Sequence, residues 1–130
     1  MTRKSIEVEG LHHGGAPIPQ ASVIGNLLAS GNISPIDPQT GGVPDEVQAQ
    51  VELVFANLGR VLVAAGGSPA DVIKCTVHVR DKGIRPLIDQ QWTAMFPDAS
   101  SRPARHIVAE DLANGLDIQL DILAVLGDAQ

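Results

Sequence analysis

From Ile73 to Arg80 apolar and polar residues alternate without interruption. Side chains alternate across a strand with period two, so Ile73, Cys75, Val77 and Val79 face one way and Lys74, Thr76, His78 and Arg80 the other. Such a strand belongs in a sheet with one covered face, and another part of the chain has to cover it. The preceding stretch can. Between Pro44 and Ala65, the residues Val47, Val51, Val54, Leu58, Val61 and Leu62 recur mostly at helical spacing and form one apolar stripe. Pro44 in the first turn sacrifices no hydrogen bond, and Asp45 and Glu46 complement the positive end of the helix dipole. Gly66-Gly67 permits the left-handed cap that ends the helix.

The same rules place the remaining elements. Ile6–Val8 reads as a short first strand. Ala21–Ile24 and Leu27–Ser30 read as a hairpin turned by Gly25-Asn26, two residues that tolerate positive φ. Ser68-Pro69-Ala70-Asp71 has the form of a capping box opening one short turn. Ile84–Phe96 reads as a second helix, with Pro86 in its first turn and Pro97 as its stop. Arg105–Ala109 and Asp117–Val125 read as closing strands around a loop that contains Asn114-Gly115. The order β-β-β-α-β-α-β-β runs over residues 1–130 without linker or repeat. It predicts a single α+β domain, a mixed sheet with two helices on one face. The other face would be bare in a monomer. Charged residues are only 18% of the chain, low for a small domain, which points to burial of that face against another subunit.

Several partner classes fit poorly. The formal net charge is −6, with no Lys/Arg cluster, two Phe, one Trp and no Tyr, so neither a basic groove nor a stacking platform for nucleic acid is evident. No stretch approaches the ~18 consecutive apolar residues of a membrane helix, and the N-terminus does not read as a signal peptide. The single cysteine, Cys75, has no partner for an internal disulfide, which suits a reducing, cytoplasmic compartment. Its place on the apolar strand face makes it a core residue.

Chemistry-bearing residues are few. Arg105 opens a strand after Ser101-Arg102-Pro103-Ala104. Its planar guanidinium can grip a carboxylate bidentately, or it can form a surface ion pair. In the last strand Asp117, Gln119 and Asp121 share one face. Asp121 stands directly before Ile122-Leu123-Ala124-Val125 and needs a partner. His12 and His13 lie in a glycine-rich loop, without the acidic or cysteine spacing of a metal site, so no metal is expected. One of them can line a pocket, or both can be solvated. His78 belongs to a polar strand face, and His106 should point away from Arg105.

Taken together, several segments resemble the RidA/YjgF family of reactive-intermediate deaminases. They are Gly25-Asn26 leading into Ser30-Gly31-Asn32-Ile33, Asp37-Pro38-Gln39-Thr40-Gly41-Gly42-Val43-Pro44, Asn57-Leu58 with Ala64-Ala65-Gly66, Asp71 to Val79, Arg102-Pro103-Ala104-Arg105, and Ala124-Val125. The resemblance implies a chorismate-mutase-like fold assembled as a homotrimer, with sites in the clefts between subunits. It implies cofactor-free hydrolysis of enamines and imines, such as 2-aminoacrylate, to a keto acid and ammonia. It assigns Arg105 to the substrate carboxylate and puts Gly31, Ile107 and Ile18 in the same cleft. The family's water-placing glutamate is replaced by Gln119, with Asp121 the next acid along. Ile18-Pro19-Gln20 stands where the family has Tyr-Ser-Gln, and Ile107 where it has cysteine. These departures keep open a second reading, a non-catalytic trimer that binds a carboxylate metabolite or a partner protein. An endoribonuclease activity has also been attached to the family, and the acidic charge argues against it here.

Overall fold

The computed structural model describes residues 1–127. Six strands form one mixed sheet: β1 (Lys4–Ile6), β2 (Ala21–Ile24), β3 (Leu27–Ser30), β4 (Val72–Val79), β5 (Ala104–Ala109) and β6 (Ile118–Val125). Their spatial order is β1-β2-β3-β6-β4-β5, and only the β4–β5 pair is parallel. Two helices, α1 (Val47–Ala64) and α2 (Arg85–Met95), pack together against one face. The α+β architecture predicted from the alternation and the helical stripe is therefore present.

Local chemistry explains most boundaries. The β2–β3 hairpin turns on Gly25, the turn residue that takes positive φ, at 62°. Gly66 closes α1 at φ 78°, a conformation without penalty only for glycine. The Asp71 carboxylate accepts the Ser68 N–H at 2.9 Å and so ties down the short 3-10 turn ahead of β4.

Three expectations need correction. The first strand is Lys4–Ile6, not Ile6–Val8, with Ile6 paired to Ala21. The long helix begins at Val47, so Pro44, Asp45 and Glu46 precede it rather than fill its first turn. The cause is Gln50, whose side-chain N–H donates to the Pro44 carbonyl at 2.8 Å and holds that segment outside the helix. Finally, Ile73 points outward and Val72 inward. A bulge between Val72 and Lys74 shifts the pairing with β6, so the alternation starts one residue out of phase.

The core lies between the sheet and the helices and includes Leu28, Phe55, Leu58, Cys75, Leu120 and Ile122. Gln50 and Asn57 of α1 are buried polar side chains, as is Gln20 ahead of β2. Gln50 also donates to the Gly115 carbonyl at 2.8 Å and accepts the Asp117 N–H at 2.8 Å. Asn57, fully buried, donates to the Ser34 carbonyl at 2.8 Å and the Ile36 carbonyl at 2.9 Å, while its oxygen accepts from Arg60 at 2.6 Å. These amides bind the β3–α1 and β5–β6 connections to one helix.

The opposite sheet face is open. Ile24, Leu27, Leu123 and Val125 form an apolar stripe there, each at least 39% exposed. Asn57→Leu removes both loop donors at similar volume and strands two buried carbonyls. It should lower stability by roughly 2–4 kcal/mol, read from the urea midpoint at unchanged slope. A loss below about 0.5 kcal/mol would show that the loop is held by other means.

Candidate active site

After β3 the chain leaves the sheet at Gly31 and touches it once more. The Ile33 N–H donates to Leu120 O at 2.6 Å, and the Leu120 N–H donates to Ile33 O at 3.0 Å. Beyond that bridge a cleft of about 600 Å³ opens between this loop, the His12–Ile18 loop and the β5–β6 connection. Ile18, Asn32, Ser34 and Gln119 line it together with His12 and His13. Gln119 is fixed at both ends of its amide: its nitrogen donates to Ser34 Oγ at 2.8 Å, and its oxygen accepts from Asn32 at 3.5 Å. The Gly31 N–H donates to the Gln20 carbonyl at 2.9 Å. A Cβ on Gly31 would stand 3.6–3.7 Å from the His13 ring, so this glycine lies directly against the imidazole. His12 Nδ1 accepts the Gly14 N–H at 3.1 Å. His13 Nε2 is sealed from solvent and has no hydrogen-bond partner.

Arg105 lies elsewhere. β5 runs beside β4 with Arg105 level with Cys75 and Ile107 level with Val77, so both β5 side chains face the helices. Ile107 is buried in the core. The Arg105 guanidinium sits 4.9 Å from the centroid of Trp92, and its Nη1 is 2.8 Å from Asp89 Oδ1. That N–H is not aligned as a hydrogen bond, so the pair holds by charge and leaves the fork short of partners. Trp92 in turn meets Phe96 edge to face at 4.7 Å. The ion-pair alternative for Arg105 thus exists within the chain, on a strand whose outer edge is unpaired among the described residues.

Alternation sends Gln119, Asp121 and His106 to the open face, opposite Arg105. Within one chain the sheet separates Arg105 from both of the acidic-strand residues expected to act with it. Asp121 does not line the cleft either. His78 Nε2 meets Asp121 Oδ2 at 2.5 Å, and His78 Nδ1 meets the Glu110 carboxylate. His78 thus bridges two carboxyl groups, one at each ring nitrogen.

The family described as Endoribonuclease L-PSP matches residues 16–126. The chain belongs to that family. A 2-iminobutanoate/2-iminopropanoate deaminase of Escherichia coli (strain K12) is 29% identical over 124 residues, 94% of this chain and 97% of the relative. The L-PSP fold is equally evident in solved structures. E. coli TdcF with bound serine superposes with TM-score 0.85 at 28% identity, covering 95% of this chain and 99% of that one. RidA from an Antarctic Psychrobacter gives TM-score 0.85 at 25% identity, covering 95% and 99%. The RidA/YjgF resemblance read from the sequence is therefore correct.

Sequence reasoning missed the surroundings of these L-PSP residues. Asp89 and Trp92 are three apart on α2, a spacing that puts both on one helical face beside Arg105. The His78–Asp121 contact is a diagonal cross-strand pair, visible once β4 and β6 are known neighbours. Cys75, core-facing beside Arg105, has its thiol pushed up to about 12 by burial first and the Asp121 charge second, with Arg105 opposing. Native protein at pH 8 should react with a thiol-disulfide reagent only as fast as it unfolds, and at once in denaturant. Rapid native labelling would contradict the buried placement.

Proposed function

We propose that this L-PSP protein hydrolyses small enamines and imines that carry a carboxylate, releasing a keto acid and ammonia, in a site shared by two subunits of a homotrimer. One observation supports the reading: the Gly31 cleft and Arg105 lie apart within one chain, and each lacks what the other has. The cleft beside Gly31 has polar groups to place water but, among the described residues, no Lys or Arg in its lining. Arg105 is a cation short of partners beside an unpaired edge strand. An imine that carries a carboxylate needs both.

The chemistry asks little of the protein. The substrate carboxylate would take the Arg105 fork, displacing Asp89, with Trp92 as the flat wall behind it. The imine carbon would lie in the partner's cleft, against Gly31 and Ile18, where Gln119 orients water through an amide already fixed by Ser34 and Asn32. Positioning of this kind converts an easy addition into a fast one. No cofactor is needed. The apolar stripe of Ile24, Leu27, Leu123 and Val125 supplies the surface by which copies would associate. The names of the E. coli imine deaminase and of TdcF support the reaction class. The net charge of −6 disfavours RNA as substrate, and the free Cys75 suits the cytoplasm.

A second reading, carboxylate binding without turnover, is favoured by one observation: Gln119 cannot take a proton. Ammonia release from 2-aminoacrylate and its longer homologues, generated in situ, separates the two. Arg105→Ala should lower kcat/KM roughly 10–100-fold, as expected for a lost charged hydrogen bond. A trimer that turns over nothing on the panel, yet is stabilised by keto acids through Arg105, would establish the second reading instead. Leu27→Lys should shift the sedimenting species from trimer toward monomer; an unchanged trimer would remove the stripe from the interface.

A further inference from the structure

Among the described residues no carboxylate lines the cleft. The lining side chains with a ring nitrogen able to accept a proton are His12 and His13. Gln119 cannot serve as a base, and Asp121 is held by His78. The two histidines are not equivalent. His12 Nδ1 is occupied by the Gly14 N–H at 3.1 Å, which makes that ring part of the loop's own turn. His13 stands against Gly31, and its Nε2 is buried without a partner. An orphaned ring nitrogen costs free energy, and such costs are concentrated where function requires them.

We propose that His13 is the general base of the Gly31 cleft. The inference rests on the deaminase reading and supplies the proton acceptor that reading lacks. His13 Nε2, sealed from solvent in the single chain, opens to the cleft for this step and takes a proton from water as the oxygen bonds to the iminium carbon and the C=N pair moves onto nitrogen. The imidazolium returns that proton to the amine. The C–N bond then breaks with its pair on the departing ammonia, while the hydroxyl proton passes to His13 as C=O forms. That last proton leaves on ammonia as ammonium, so water and iminium are converted to ketone and ammonium with nothing left over.

The groups that face His13 are few. His12 adjoins it in the loop, and Glu7 borders the depression on the loop's far side. On the cleft side the polar neighbours are the neutral Asn32, Ser34, Asn114 and Gln119. An acid limb in kcat/KM that depends on the His13 ring is therefore the signature of this role.

The test is the pH–rate profile of imine hydrolysis by full-length wild type, His13→Gln and His12→Gln. The expected result is that His13→Gln keeps its trimer and KM, loses about 100-fold or more in kcat, and loses the acid limb, while His12→Gln keeps the limb. A His13→Gln enzyme with the wild-type limb and kcat within about threefold would overturn the assignment. Should that variant not fold, the limb must coincide with the His13 ring titration followed by NMR in wild type, and a mismatch overturns it. Wild type without turnover on any imine would sink the deaminase reading and this inference with it. Turnover with an unchanged profile sinks this inference alone.

Discussion

Two buried amides on α1 govern the working end of this protein. Gln50 and Asn57 occupy positions on the apolar stripe where valine or leucine would be expected, and they are among the most buried side chains in the molecule. A buried amide is tolerable only when its donors and acceptors are met. Gln50 meets them with Pro44, Gly115 and Asp117; Asn57 meets them with Ser34, Ile36 and Arg60. The helix thus fixes the segment after β3 and the β5–β6 connection. Those segments are two walls of the cleft, and their backbone carbonyls, otherwise stranded, become anchors.

The sheet imposes the second constraint. Period-two alternation on β5 and β6 puts Arg105 on the helix side and Gln119 with Asp121 on the open side. Adjusting rotamers does not bring them together within one chain. A cation without an aligned partner and a polar cleft without Lys or Arg among the described residues are therefore complementary features on one molecule, which is the arrangement expected if copies share sites. The apolar stripe on the open face and the unpaired edge of β5 are surfaces that association would cover. His78, Glu110 and Asp121 pair with one another on that face, so polar groups there already have partners within the chain.

Much of this was legible in the sequence. The Gly25-Asn26 hairpin, the α1 stripe, the Pro86 start of α2 and the last strand all follow from local rules, because each needs only its own neighbours. What escaped depended on contacts distant in sequence. The bulge that turns Ile73 outward exists only relative to β6. The late start of α1 depends on Gln50 reaching Pro44. The face of Arg105 could be counted relative to His106, but not relative to Gln119, because strand order was unknown. Gln50 and Asn57 did leave a signal: they fall among the buried valines at helical spacing, which marks a polar residue that needs distant partners.

The claim that the site is shared between copies can be tested by mixing. Arg105→Ala removes the cation, and Gly31→Phe fills the cleft, so each homotrimer should keep at most about a tenth of wild-type activity. Mixed trimers made by co-expression in equal amounts should recover about a quarter of wild-type imine hydrolysis, since one interface in four pairs two intact halves. Mixed trimers as inactive as their parents would show that both halves serve within a single chain, and the account would fall.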